Sequence, residues 1–96
     1  MSIFYQKISE NKVLIRNFSD NIYMIELKFK ERLRELRKNN GLTQKVLALE
    51  AKVAETSITD WERGRSEPCL LDLTKLAIAL NTTIDYLVGK DEIEKN

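Results

Sequence analysis

Ninety-six residues, 43% apolar and 32% charged, are enough for one small globular domain with a single core, and sixteen Lys and Arg against fifteen Asp and Glu leave a formal charge of +1 that points to no polyionic partner. With no histidine and one cysteine the chain cannot assemble a His-based acid/base site, a Ser/His or Cys/His nucleophile pair, a Cys/His zinc site or an internal disulfide, so neither enzymatic chemistry nor a metal or other cofactor is expected. No apolar run approaches the roughly 20 residues of a membrane span and the first residues lack the basic start of a signal peptide, so the expectation is a cytoplasmic protein with no membrane partner.

In chain order, residues 1–23 favour strands. Ile3 to Ile8 and Val13 to Phe18 flank the turn-like Ser9-Glu10-Asn11-Lys12, a pattern that predicts a β-hairpin. From Leu27 the period becomes helical, with Phe29, Leu33 and Leu36 at i, i+4 and i+7, and a first helix is expected from about Glu26 to Asn39, stopped at Asn40-Gly41. Thr43 offers an N-cap hydroxyl to a second helix, Gln44 to about Ala51. Lys52-Val53-Ala54 is a tight break before a third, Glu55 to Arg63, ended by Gly64. Pro68 makes Arg65-Ser66-Glu67-Pro68 a loop. A fourth helix over Leu70 to Leu80 and a fifth, capped by Thr83 and running to Val88, complete an all-α bundle of five helices. The reading divides the chain into an N-terminal extension (1–23), a helical domain (24–89) and a charged tail (90–96).

Residues 42–68 carry the functional signal. Two short helices joined by a three-residue break, the second closed by Trp61-Glu62-Arg63-Gly64, have the proportions of a helix-turn-helix. With Leu42-Thr43-Gln44, Leu47-Ala48, Val53, Ser57-Ile58, Pro68 and Leu76-Ala77-x-Ala79-Leu80-Asn81 at matching spacing, the stretch from about Phe29 to Gly89 resembles the Cro/repressor (XRE-like) family of bacterial and phage transcriptional regulators.

That resemblance implies a lambda-repressor-like fold whose third helix enters the major groove of double-stranded DNA. Base edges would then be read by Glu55, Thr56, Thr59 and Asp60: the threonines hydrogen-bond several bases and touch a thymine methyl, while the carboxylates accept from cytosine N4. Phosphates would be held by Thr43 and Gln44 at the start of the second helix and by Ser57, Arg63 and Arg65. Arg37 and Glu62 match a family ion pair that joins the first helix to the reading helix, and Ile84, Tyr86 and Leu87 are the implied homodimer surface.

Three departures from the pattern stand out. Lys52 replaces a usual glycine where φ > 0 is needed, Ala54 replaces a usual Ser or Thr cap, and Val46 and Leu49 give the second helix an apolar outer face. The expected function is a sequence-specific transcriptional regulator, most simply a repressor, on a two-fold operator. The alternative is an antitoxin-like or anti-repressor module that binds a protein partner through the N-terminal extension and the Val46/Leu49 face.

Overall fold

A computed structural model describes residues 18–94; the hairpin expected over residues 3–17 lies outside them. Among the described residues six helices follow one another: α1 (Phe18–Asn39), α2 (Gln44–Ala51), α3 (Glu55–Arg63), α4 (Leu70–Ala79), α5 (Ile84–Val88) and α6 (Lys90–Glu94).

The first helix starts about two turns earlier than expected. Phe18, assigned from the sequence to the end of the second strand, is its first residue, and α1 runs without a break across the Tyr23–Met24 boundary. The β-branched and aromatic residues at 22–25 argue locally for a strand. Two residues of this stretch also extend the apolar side of α1 backward: Met24 is buried, and Ile25 lines an apolar groove with Phe29. Adding a turn to an existing helix is cheap compared with nucleating one, so packing overrides propensity here.

Each break has a local cause. Gly41 at φ 71 ends α1, with the Leu42 N–H donating to the Arg37 carbonyl at 3.0 Å and the Gly41 N–H to that of Lys38 at 2.9 Å. The Thr43 hydroxyl accepts from the Val46 N–H at 3.1 Å and starts α2. Lys52 closes α2 in the left-handed region at φ 59, ψ 48, and Gly64 closes α3 at φ 75. Ala54 and Cys69 stand at the N-caps of α3 and α4 with no side-chain cap bond. The Thr83 hydroxyl caps α5 by accepting from the Tyr86 N–H at 3.1 Å.

Phe29 and Leu33 of α1, Leu47, Ala48 and Ala51 of α2, Ile58 and Trp61 of α3, Leu76, Ala77 and Leu80 around α4, and Leu87 of α5 form one buried cluster. It holds α3 against α1 and α2, leaving the opposite face of α3 outward.

Beyond the five expected helices, a short sixth forms over part of the charged tail. Arg32, only 9% exposed, donates to the Tyr86 carbonyl at 2.7 Å and forks onto Asp91 at 2.6 and 3.2 Å, with Glu92 at 3.4 Å. Its guanidinium also lies 4.2 Å from the centre of the Tyr86 ring. A single buried cation of α1 therefore gathers α5 and α6. The two acids that looked like a solvated tail are its counter-charges.

Candidate nucleic-acid interface

Glu55, Thr56, Thr59, Asp60 and Arg63 fall within one arc of about 140° on α3 at a 100° step per residue, and the inward Ile58 and Trp61 fall outside it. Glu55 and Thr56 in the first turn are exposed, as is Arg63 in the last; Thr59 and Asp60 are half-buried. Asp60 lies 3.8 Å from the Arg65 guanidinium, an exposed pair of little energetic weight. Ser57 is half-buried beside this face, its N–H turned back to the Ala54 carbonyl at 3.0 Å.

Behind the face lies a polar chain that locks three helices together. Glu62, its side chain 1% exposed, accepts from Arg37 Nε at 2.6 Å and Arg37 Nη2 at 3.1 Å. Arg37 Nη1 donates onward to the Leu42 carbonyl at 2.9 Å. Glu62 Oε1 also accepts from Gln44 Nε2 at 3.0 Å, and the Gln44 side-chain oxygen Oε1 accepts from the Thr59 hydroxyl at 2.8 Å. The chain thus runs from α1 through the end of α3 to the start of α2 and back to the middle of α3. Burial by itself would raise the Glu62 carboxyl, but the hydrogen bonds from Arg37 and Gln44 and the Arg37 charge outweigh it and hold the group below the usual carboxylate range.

This geometry changes the meaning of two residues. Gln44, expected on a phosphate, has its side chain in the interior chain, which leaves its main-chain N–H and one amide hydrogen for an anion at the start of α2. Thr59, expected on a base, has its hydroxyl within reach of Gln44 and of the Glu55 carbonyl at 3.3 Å; its methyl group and oxygen lone pairs remain. Thr43, exposed, accepts its cap bond and still has a hydroxyl proton to donate.

Sequence reasoning missed Arg34. It donates to the Glu62 carbonyl at 3.2 Å, with its Nε 3.7 Å from the Glu62 carboxylate. The signal was present, since Arg34 stands three residues before Arg37 on the same stripe of α1.

The three residues assigned to a dimer surface part ways. Leu87 is 0% exposed inside its own core and has nothing to offer a partner, which corrects that assignment. Ile84 packs partly against the same core, and Tyr86 is exposed. Spacing alone could not separate these cases, because a five-residue helix shows too few turns to reveal which apolar side is covered. The α4 face that carries Leu70, Leu71 and Ile78 is also exposed.

Among the described residues no group of His, Cys, Asp or Glu is placed to hold a metal ion, and no helix is long and apolar enough to cross a membrane.

Residues 33–87 match the helix-turn-helix family. The chain is 37% identical over 65 residues to the HTH-type transcriptional regulator ImmR of Bacillus subtilis, a match covering 68% of this chain and 51% of that protein. It is 37% identical over 70 residues to the cryptic phage CTXphi transcriptional repressor RstR of Vibrio cholerae, covering 73% of this chain and 62% of the repressor. The chain spans about half the length of the first and under two thirds of the second. Among solved structures, the restriction-modification controller protein C.AhdI of Aeromonas hydrophila superposes with a TM-score of 0.61 at 33% identity, over 73% of this chain and 98% of that one.

Proposed function

Because the chain belongs to the helix-turn-helix family, we propose that it is a sequence-specific DNA-binding transcriptional regulator that reads the major groove with α3. The observation that carries this reading is the outward face of α3. Polar side chains suited to base edges stand at its exposed start and half-buried middle, with Arg63 at its end and Arg65 just beyond. Glu55, Thr56, Thr59 and Asp60 are the base readers. Thr43, the main chain at Gln44, Ser57, Arg63 and Arg65 hold phosphates. Repression is the simplest output, since occupying an operator needs nothing beyond this unit.

A homodimer on half-sites about 34 Å apart fits the same reading. Tyr86, supported by the exposed α4 residues Leu71 and Ile78, takes the place of Leu87 in its interface. Nothing in this mechanism calls for catalysis, a membrane or a cofactor.

The test is selection of bound duplexes from a random pool, followed by titration at two salt concentrations. Replacing Arg63 with Ala is expected to weaken binding to every sequence, and replacing Asp60 with Ala to change the preferred bases. Salt-independent or absent binding would refute the reading. It would favour a protein-binding module instead, for which the 70% exposure of Leu49 on the outer side of α2 is the supporting observation.

A further inference from the structure

Where α1 crosses the end of α3, a cleft of about 310 Å³ opens to solvent, lined by Lys30, Glu31, Arg34, Glu62 and Arg63. Its charge is lopsided. The Glu62 carboxylate is already matched by Arg37, so Lys30, Arg34 and Arg63 face a single exposed acid, Glu31. Lys30 and Arg63 make no ion pair among the described residues. The stem of Lys30 lies along Gly64, with Cδ 3.2 Å and Nζ 3.6 Å from the place a Cβ would occupy there, so its ammonium sits beside the main chain just past the reading helix.

The end of a helix repels anions through its unsatisfied carbonyls, roughly half a negative charge. Arg34 removes that obstacle by donating to the Glu62 carbonyl, and half of its side chain stays in solvent. A helix lying in the major groove leads at its far end toward the sugar-phosphate wall of the groove, and this cleft opens beside the far end of α3.

We propose that Lys30 and Arg34, together with Arg63, form a second phosphate-binding site that takes a phosphodiester of the duplex bordering the end of α3. The site rests on the DNA-binding reading and extends the protein's grip from the helix-turn-helix to α1.

The test compares the wild-type chain with Lys30→Gln and Lys30→Gln/Arg34→Gln on the selected duplex. Melting temperatures are recorded alongside, and the single variant serves as the control that removes no bond of the interior chain. Each lost contact is expected to flatten the log–log salt slope by about 0.9, so over a fourfold rise in salt the wild type loses about 12-fold more affinity than the double variant. Duplexes carrying single neutral methylphosphonates locate the contact: one flanking position is expected to weaken the wild type and leave the double variant indifferent. Equal slopes and identical methylphosphonate patterns in a wild type that binds DNA overturn this site alone. A wild type with no salt-dependent binding overturns the regulator reading and the site with it. Release of DNA by inorganic phosphate at constant ionic strength that is as strong for the double variant as for the wild type means that the anion competes elsewhere, and also overturns the assignment.

Discussion

Removing the Glu62 carboxylate is the sharpest test of how the reading helix is held. The side chain is 1% exposed, and its Arg37 partner is 12% exposed. Glu62→Ala leaves a guanidinium in a nearly dry site without its counter-charge, a loss worth about 3–5 kcal/mol, against a total of roughly 5–15 kcal/mol for a domain. Arg37→Met strands the carboxylate and is expected to cost a similar amount. Replacing both, Arg37→Met with Glu62→Leu, removes the desolvated charges together and is expected to cost less than either single change. The coupling is then at least about 3 kcal/mol, well outside the ~0.5 kcal/mol within which independent sites add. Urea unfolding reads this as the midpoint shift at constant slope; with a slope of about 2 kcal/mol/M, a 4 kcal/mol loss moves the midpoint by roughly 2 M. A double variant whose loss equals the sum of the two singles refutes the reasoning. A pH series tests the same pair independently. The Glu62 pKa is lower in the folded state than in the unfolded chain, so its contribution is complete above the unfolded value of about 4.3 and disappears as pH falls through the folded one. The wild-type advantage over Glu62→Gln is therefore expected to shrink below about pH 4.3, and an advantage that grows with acid contradicts the assignment.

Lys52→Gly, at an exposed residue with φ 59, relieves roughly 1–2 kcal/mol of left-handed strain against about 0.5–1 kcal/mol of unfolded-state entropy, so a thermal melt is expected to rise by a few degrees. Ala54→Ser supplies the missing cap of α3, where φ −74, ψ 145 already suits one, and is expected to add about 1 kcal/mol in urea titration. Gly89→Ala meets both a φ of 75 and Lys28, whose Cβ lies 2.7 Å from the new methyl; Gly41→Ala meets a φ of 71 in open space. Both variants are expected to lose about 1–2 kcal/mol to the backbone, with a further loss only at Gly89, and equal losses would show that the α1–α5 approach yields freely. Random duplex is expected to bind far more weakly than the selected operator, because a net charge of +1 gives little long-range attraction; near-equal affinities contradict it.

The middle of the fold was legible because its punctuation is local. Thr43, Gly64 and Thr83 each sit at a helix boundary that one residue's chemistry defines, and the bounds of α2 and α3 follow from them. The start of α1 was not legible, because Ile22, Tyr23 and Ile25 are strand formers by type, and only the packing of Met24 and Ile25 in the folded chain shows that the helix continues there. The sixth helix was hidden for a different reason: its anchor, Arg32, lies 59 residues from Asp91, and no window along the chain contains both. Gln44 shows a third kind of failure. Its place at a helix start suggested an anion, and only the folded chain reveals that Glu62 and Thr59 engage its amide first.

The polar interior also resolves an apparent mismatch between this domain's core and its task. Ile58 and Trp61 hold α3 to the bundle, but apolar contacts are non-directional and resist rolling or sliding of a nine-residue helix only weakly. Hydrogen bonds are directional. The Arg37–Glu62–Gln44–Thr59 chain ties α3 at its middle and its end, so rolling the helix breaks bonds that have no replacement inside the protein. A leucine and a methionine in place of the pair would leave stability nearly unchanged while releasing that constraint. The buried charges are therefore best understood as fixing where Glu55, Thr56 and Asp60 point. Arg32 with Asp91 and Glu92 does the corresponding work at the opposite side of α1. Two of the six basic residues between 28 and 38 are thus engaged inside the molecule, and Lys30 and Arg34 are the ones whose charge remains beside the reading helix.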